Sequence, residues 1–431
     1  MTKRKAPFQW GPISKKQLQL LTWWREGSPY ADKAGIVADG SIRSTKTLSM
    51  SLSFLEWAWT KFEDQQFGVS GYTIKSFERN VLDQLKNVAW GRGYTYTHQR
   101  AQNRIIFKRN GNTVTLYVFG GQDESSYKLV QGKTLAGFYF DEVVLQPKSF
   151  VLQAMGRCSI KGRKWWYNCN PEGPYHWVKT ELIDKVDKLN LFHIHTTLED
   201  NLSLDQEIID GYKAAYSGVF YQRYILGLWV MAEGVIYDMF DANIHVRKAA
   251  DKYRHYGCAI DYGTNNACVF GKFGWDTAED VQLCKEYYYS AKTTIKDGQP
   301  PRQKTDSEYA KDLIEFLDGD KAMEVIVDPS ALSFKTELRR QGFTNVRDAK
   351  NSVIDGIRFQ ASMLHNEYYH IDPSCKETEK EYSAYLWDEK AQQRGEDKPI
   401  KEYDHCKDME RYFLFTKFGR GSSGGSQEFR V

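Results

Sequence analysis

Residues 40–47 of this 431-residue chain read Gly-Ser-Ile-Arg-Ser-Thr-Lys-Thr, which has the residue types and spacing of a phosphate-binding loop. They follow an apolar run at residues 34–38 and precede residues 48–62, whose apolar side chains have helical spacing. Backbone amides and the helix dipole would surround a phosphate, Lys46 would neutralise the β- and γ-phosphates, and Thr47 would offer its hydroxyl to Mg²⁺. We therefore assign nucleotide binding to the whole loop: Gly40, Ser41, Ile42, Arg43, Ser44, Thr45, Lys46 and Thr47.

Thr45 departs from this pattern because it stands where the second glycine is expected. If that position needs a positive φ angle, a β-branched side chain resists it. We expect such strain to affect the affinity for nucleotide and the rate of its turnover. An ordinary polar turn before a helix stays open as an alternative for these residues.

Two adjacent acids end an apolar strand downstream of the loop, and ATP hydrolysis would use them in different roles. Asp141 would hold Mg²⁺, directly or through water, and Glu142 would orient and deprotonate the attacking water. Arg43 could place its guanidinium on the transferring phosphate. The alternative for the acids is a solvated strand end.

Two amide side chains complete the predicted nucleotide site. Asn170, in the turn at residues 168–171 that ends the next strand, could sense the γ-phosphate and relay its loss. A polar turn in which Pro171 ends the strand is the competing interpretation. Gln17, on an N-terminal helix, could hydrogen-bond an adenine edge, although a lone glutamine on a helix more often faces solvent.

A second group of acids, in the C-terminal half, suits divalent metal ions. Asp261 and Asp328 each end an apolar strand, where a carboxylate is costly unless it is paired or bound to a cation. On the final helix Asp408 shares a face with His405 and with Asp404. Asp261, Asp328 and Asp408 would hold two Mg²⁺ or Mn²⁺ ions for phosphodiester hydrolysis, with His405 as a further ligand or a proton shuttle. The alternative is three unrelated strand-end and helix-cap acids.

Alternating strands and helices must position the nucleotide-binding residues. We predict strands at residues 34–38, near 72–74, and at 104–107, 113–119, 135–140, 164–167 and 192–195, with helices at residues 14–21, 48–62, 76–90, 204–216 and 219–228. Asn110-Gly111 indicates a hairpin between two of the strands. The alternation predicts a mostly parallel sheet covered on both faces, with ligands beyond the carboxyl ends of its strands. The loop, the acid pair and the turn at 168–171 are expected to converge there.

The second half has a different order of elements. We predict strands at residues 256–261, 267–273, 282–289, 324–328 and 368–371, and helices at residues 307–317, 334–342, 352–365 and 404–415. Three consecutive antiparallel strands followed by alternating helices and strands are the order of a ribonuclease H-like fold. The predicted fold class is thus α/β, with a P-loop ATPase domain at residues 1–230, a linker at 231–252, a ribonuclease H-like nuclease domain at 253–415 and a disordered Gly/Ser-rich tail at 416–431.

Length and composition bound the class of protein. The chain is longer than a single core usually supports, and its 41% hydrophobic and 27% charged residues are those of a soluble globular protein. No apolar run is long enough to span a bilayer and the N-terminus leads into no apolar signal segment, so we expect a cytoplasmic protein without membrane contact. The seven cysteines form no C-x-x-C pair, which argues against a zinc site or a disulfide framework. The net charge of +3 does not by itself indicate nucleic-acid binding.

Taken together and in this order, the motifs resemble those of the large subunit of bacteriophage terminases, the ATPase–nucleases that package viral DNA. The resemblance covers about residues 10–415 and puts Glu142 at the family's catalytic glutamate. The segments that resemble the family's motifs are residues 40–47 (phosphate loop), 140–142 (acidic strand), 168–177 (coupling motif), 227–237 (domain junction), and Asp261, Asp328 and residues 404–412 (nuclease motifs).

The resemblance implies that the protein cleaves concatemeric double-stranded DNA at the start and end of packaging. ATP hydrolysis, with Mg²⁺, would drive the DNA into the procapsid through the portal protein, and a small terminase subunit would select the DNA. The protein would form a homo-oligomeric ring on the portal in the cytoplasm of the infected bacterial host; a monomer in solution stays open.

Two other functions remain compatible with the residues. The first is a helicase-like DNA translocase whose second domain only grips DNA. The second is a nucleotide-binding scaffold at a capsid portal, which does not hydrolyse ATP because of Thr45.

Overall fold

The structure, a computed structural model, describes residues 11–263, 267–290 and 302–419. It contains an eight-stranded sheet in the first half of the chain and a six-stranded sheet in the second half, with helices packed on both. The fold is therefore mixed α/β. Most of the tail that the sequence predicts to be disordered, from residue 420 onward, lies outside the described residues.

The first sheet is mostly parallel, as predicted. Its strands are β1 (Gly35–Gly40), β2 (Gln65–Gly71), β3 (Thr95–Gln99), β4 (Arg104–Arg109), β5 (Asn112–Gly120), β6 (Gly137–Phe140), β7 (Lys164–Asn168) and β8 (Leu191–Thr196), in the spatial order β3-β4-β5-β2-β6-β7-β1-β8. The pairings from β5 to β8 are parallel, whereas β3, β4 and β5 pair antiparallel. The carboxyl ends of β6, β7, β1 and β8 are consequently neighbours, which is the edge where the sequence places the nucleotide site.

Helices cover this sheet and lead out of it. They are α1 (Lys15–Thr22), α2 (Lys46–Lys61), α3 (Ile74–Phe77), α4 (Asp83–Gly91), α5 (Lys148–Gly156), α6 (Gln206–Ala214), α7 (Gly218–Phe220) and α8 (Ala242–His245). A π-helical turn joins α3 to α4, and another follows α7. Helix α2 is buried along most of its length, because its aromatic and aliphatic side chains pack among those of the sheet.

Of two local predictions for the first half, a hairpin and a strand, one is confirmed and the other is wrong. The hairpin at Asn110-Gly111 is confirmed, since these residues have φ angles of 48° and 84° between β4 and β5. The predicted strand near residues 72–74 is wrong, because Thr73 and Ser76 form a capping box that starts α3 at Ile74. The strand lies earlier, in β2, where pairing with β5 and β6 outweighs a sequence rich in glutamine and glycine.

The second sheet has three antiparallel strands at its centre. Its members are β9 (His255–Asp261), β10 (Ala267–Thr277), β11 (Asp280–Ser290), β12 (Glu324–Val327), β13 (Val346–Asp348) and β14 (Tyr369–Ile371), in the order β13-β12-β9-β10-β11-β14. The strand β12 pairs parallel with β9, so Asp261 and Asp328 leave the sheet at the same edge. The helices are α9 (Asp306–Phe316), α10 (Leu332–Arg340), α11 (Val353–His365), α12 (Lys376–Ala384), α13 (Glu389–Gln393) and α14 (His405–Lys417).

The last helix extends beyond the predicted end of its domain at residue 415. It runs through Lys417, whose ammonium pairs with Glu324, and the backbone N–H of Lys350 donates to the Thr416 hydroxyl at 2.8 Å. These contacts stabilise a turn that the sequence pattern assigns to the tail. Helices α12 and α13 were not predicted, because their sequences are highly charged and have few apolar positions.

The two halves of the chain pack against each other. One hydrophobic cluster includes Ile42 and Leu198 together with many side chains of the second half. The buried guanidinium of Arg223 forms ion pairs with Glu172, at 3.2 Å, and with Asp397 of the second half. Across the described residues, we find no helix with the length and apolar character that crossing a bilayer requires.

Candidate active sites

The loop at residues 40–47 joins β1 to α2 and is held by backbone contacts. Gly40 has a φ angle of 129°, and a Cβ atom there would collide with the carbonyl of Thr196 in β8. The N–H of Ser41 donates to that carbonyl at 2.9 Å, and the N–H of Ile42 donates to the carbonyl of Tyr224 at 2.8 Å. Glycine is therefore required at the first position of the loop, where the chain leaves the sheet.

Thr45 lies in the left-handed region, with a φ angle of 68° and a ψ angle of 5°. The position thus does need the conformation that glycine adopts freely, and the threonine adopts it at a cost. Its buried hydroxyl has no hydrogen-bond partner among the residues that the structure describes. The loop shape is therefore compatible with Thr45, but strained at that residue.

The ammonium of Lys46 is folded onto the loop itself. Its Nζ donates to the carbonyls of Gly40 and Ser41, at 3.1 and 2.6 Å, and to the Ser44 hydroxyl at 3.1 Å. It also donates to Oδ1 of Asn170 at 3.2 Å, so the predicted sensor amide does reach the loop. Burial lowers the pKa of Lys46 to about 8. To bind a phosphate, the ammonium must exchange some of these oxygens for those of the nucleotide.

The Asn168 amide connects the two predicted magnesium ligands. Its Nδ2 donates to the Thr47 hydroxyl at 3.0 Å and to Oδ1 of Asp141 at 2.6 Å, and Tyr139 also donates to that Oδ1, at 2.8 Å. Burial raises the pKa of Asp141, although these hydrogen bonds lower it. A hydroxyl and a carboxylate within reach of one amide are hard oxygen ligands that fit Mg²⁺. The sequence indicates phosphate sensing by the amides of this turn, whereas the contact of Asn168 with both predicted magnesium ligands is evident only in the folded chain.

Glu142 follows Asp141 in a left-handed backbone conformation, with φ and ψ angles of 53° and 47°. Burial, together with the neighbouring charge of Asp141, raises the pKa of Glu142 to about 8. A carboxyl group with such a pKa is a better proton acceptor than an ordinary glutamate. The raised pKa suits the predicted role of Glu142 as a base.

The two remaining predicted nucleotide-site residues, Gln17 and Arg43, lie in different surroundings. Gln17 is only 6% exposed, so the alternative of a solvent-facing glutamine is wrong. It lies on α1, which packs against α2 directly after the loop. The guanidinium of Arg43 lies over the ring of Tyr212, 5.5 Å from its centre, while Asn201 donates to the Arg43 carbonyl at 2.7 Å.

A buried aspartate that sequence reasoning missed anchors the start of the loop. Asp39 accepts hydrogen bonds from Nε2 of His193 at 2.8 Å, Nδ1 of His195 at 3.2 Å and Nε1 of Trp229 at 2.7 Å. Burial would raise the pKa of Asp39, but these hydrogen bonds hold it well below its usual range. The carboxylate thus connects β1, β8 and the segment that leads to the second half.

The acids of the second half meet where β9, β12 and α14 converge. Nδ1 of His405 lies 2.9 Å from Oδ2 of Asp261. Burial raises the pKa of Asp261 to about 6, the His405 hydrogen bond opposes this, and the charges of Asp408 and Asp404 raise it further. The negative charges at the end of β9 and the start of α14 therefore disfavour each other's ionised forms.

The other two predicted metal ligands are each held by a side chain of α14. Tyr412 donates to Oδ2 of Asp328 at 2.6 Å, and Nη2 of Arg411 donates to Oδ1 of Asp408 at 2.8 Å. Within the described ranges, no three His, Cys, Asp or Glu side chains are arranged closely enough to enclose a metal ion. The predicted ligands converge, but they do not form a closed coordination shell.

The residues nevertheless fit divalent cations by their chemistry. Carboxylate oxygens are the ligands that Mg²⁺ and Mn²⁺ prefer. Burial and the neighbouring carboxylates raise the pKa of Asp261, and a bound cation would offset both effects.

Three comparisons place these features among known proteins. The profile of the family described as "Terminase large subunit, T4likevirus-type, N-terminal" matches residues 38–244. The structure of the large terminase from a thermophilic bacteriophage is 50% identical in sequence, covers 94% of this chain and 99% of its own, and superposes with a TM-score of 0.89. The same thermophilic-phage protein has been solved with ADP, at 50% identity, and with ATP-gamma-S, at 49% identity, each with coverage of 94% of this chain and 99% of its own and a TM-score of 0.86. The large terminase subunit of Escherichia phage T5 is 23% identical over 362 residues, and the match covers 77% of this chain and 77% of its own.

Proposed function

Because the chain belongs to the large subunits of bacteriophage terminases, we propose that it is an ATP-driven DNA-packaging motor that also cleaves concatemeric double-stranded DNA. One observation carries the proposal: separate sets of acids lie at the strand ends of two different sheets. One set adjoins a phosphate-binding loop, and the other suits divalent metal ions.

The first site would hydrolyse ATP. Gly40 and the amides of the loop would surround the phosphates, Lys46 would move from the loop carbonyls to the β- and γ-phosphates, and Arg43 would approach the transferring group. Thr47 and Asp141 would hold Mg²⁺, which neutralises phosphate charge. Glu142 would orient the water and accept its proton as the phosphoryl group departs. The complexes of the thermophilic-phage relative with ADP and ATP-gamma-S support nucleotide binding by this chain.

The release of phosphate would be sensed by the turn after β7. Asn170 contacts the ammonium of Lys46, and Asn168 contacts both predicted magnesium ligands. Removing the γ-phosphate would change the partners of all three side chains. The nearby Arg223–Glu172–Asp397 ion pairs offer a physical connection from this turn to the second half.

The second site would cleave DNA. Asp261, Asp328 and Asp408 would hold two Mg²⁺ or Mn²⁺ ions, which supply an activated water and stabilise the leaving oxygen. His405, hydrogen-bonded to Asp261, would act as a further ligand or move a proton. Arg411 and Tyr412 would orient two of the carboxylates from α14.

The division of the chain follows from these sites. The strand order of the second sheet supports a ribonuclease H-like nuclease domain, which we place at residues 253–415, with its last helix running on through Lys417. The ATPase domain would occupy residues 1–230 and the linker residues 231–252. The partners would be double-stranded DNA, a small terminase subunit and the portal protein of the procapsid. A homo-oligomeric ring on the portal, in the cytoplasm of the infected bacterial host, would be the working state.

Two single substitutions test the division of labour. Glu142→Gln should abolish ATP turnover and leave plasmid cleavage with Mn²⁺ unchanged, because it touches only the first site. Asp261→Ala should do the reverse. Loss of both activities in either folded variant would contradict two independent sites.

The helicase-like translocase without nuclease activity remains the second candidate. In that case the second half of the chain would only grip DNA. Cleavage of plasmid by the wild type with Mn²⁺, lost in Asp261→Ala, would exclude this candidate. ATP turnover that is lost in Lys46→Ala would exclude the non-hydrolysing scaffold.

A further inference from the structure

Lys401 lies in the segment between α13 and α14, and its ammonium faces the acids of the second site. Its Nζ is 3.3 Å from Oδ2 of Asp404 and 3.7 Å from Oδ2 of Asp408. The lysine side chain is 66% exposed, whereas those of Asp404 and Asp408 are 8% and 11% exposed. A solvent-accessible cation therefore covers two nearly buried carboxylates.

The two oxygens of Asp408 have different partners. Oδ1 accepts from Nε and Nη2 of Arg411, at 3.2 and 2.8 Å, and the arginine side chain is only 2% exposed. Oδ2 faces Lys401 instead. The buried arginine is fixed by packing, but an exposed lysine can swing into solvent at little cost. Oδ2 is thus the oxygen that Asp408 can offer to a metal ion, and it is the one that Lys401 approaches.

We propose that Lys401 competes with divalent metal ions for the carboxylates of Asp404 and Asp408, and thereby sets the metal concentration that the nuclease site requires. The inference rests on the proposed nuclease function. In the metal-free protein the ammonium offsets the repulsion between converging carboxylates. A divalent cation would compete with the ammonium, since both positive charges are attracted to the same oxygens.

The size of the effect follows from the exposure of the ion pairs. Each solvent-exposed ion pair contributes only a modest interaction energy, because water screens the charges and the long side chain loses conformational freedom. With two such contacts, removing the ammonium should tighten metal binding roughly threefold to tenfold. A substitution that merely damaged the site would weaken binding, so the direction of the change distinguishes competition from a structural role.

The test is Mn²⁺ binding to the full chain without DNA or nucleotide, followed by electron paramagnetic resonance of the free ion. The signal for this site is the binding that Asp261→Ala removes. Lys401→Ala and Lys401→Met should both bind Mn²⁺ more tightly, the methionine keeping the aliphatic stem, whereas Lys401→Arg should resemble the wild type. Lys398→Ala is the matched control, because Lys398 lies in the same segment, is 61% exposed and pairs with Glu396 at 2.6 Å.

The outcomes separate the inference from the function on which it rests. Equal or weaker Mn²⁺ binding in both Lys401→Ala and Lys401→Met, with Lys398→Ala unchanged, would overturn the competition. If the wild type and Asp261→Ala bound Mn²⁺ alike, the metal site itself would be refuted, and the role of Lys401 with it.

Discussion

Replacing Thr45 by glycine and, separately, by alanine tests the backbone of the phosphate loop. With a φ angle of 68°, a residue that carries a Cβ atom loses about 1–2 kcal/mol relative to glycine. The greater freedom of glycine in the unfolded chain returns about 0.4–1 kcal/mol. The unpartnered hydroxyl of Thr45 is removed in both variants, so it does not affect their difference. Thr45→Gly should therefore be more stable than Thr45→Ala by about 1 kcal/mol.

The measurement is guanidinium unfolding followed by tryptophan fluorescence, with ATP turnover as a second readout. Thr60, exposed in the last turn of α2, provides the matched control. There the order should reverse, with alanine more stable than glycine by about 1 kcal/mol, because the backbone is helical. If alanine at position 45 proved as stable as glycine, the left-handed conformation would be refuted. If turnover vanished in Thr45→Gly, strain at this residue would be needed for catalysis.

Three further outcomes follow from the two sites. The profile of kcat/KM for ATP against pH should be bell-shaped and centred near pH 8. Glu142 must lose its proton and Lys46 must keep its own, and each group has a pKa of about 8. Lys46→Arg should therefore extend only the alkaline limb of the profile. Asn168→Ala should raise the Mg²⁺ concentration for half-maximal ATP turnover about tenfold, because it removes the amide that aligns both magnesium ligands. A magnesium titration measures this concentration, and an unchanged value would contradict the role of Asn168. Tyr412→Phe should lower plasmid cleavage about tenfold and leave ATP turnover normal, because Asp328 loses the phenol that orients it. If the variant cleaved plasmid as fast as the wild type, this hydrogen bond would be dispensable.

The sequence predicted the fold best where one pattern determined both the element and its neighbours. The Asn110-Gly111 turn indicated its hairpin, because two adjacent residues must both adopt positive φ angles. The apolar runs before Asp141 and Asp261 indicated buried strands, and their acids lie at strand ends in the structure. The strand near residues 72–74 was misplaced because the local capping of α3 was not recognised. Charged helices such as α12 had too few apolar positions to be found.

The residue types that the chemistry needs can be read from the sequence: a loop with Lys46, the Asp141–Glu142 pair, and the acids of the second half. Their spacing was enough to indicate phosphate and metal chemistry, since these roles depend on side-chain charge and on position at a strand end. The side chains that contact and orient these residues are specified by the folded chain. The Asn168 amide between two ligands and the Lys401 ammonium over the acids depend on sheet register and helix packing. Spacing along the chain does not specify such contacts, because they join residues that are distant in sequence or depend on the path of an irregular segment.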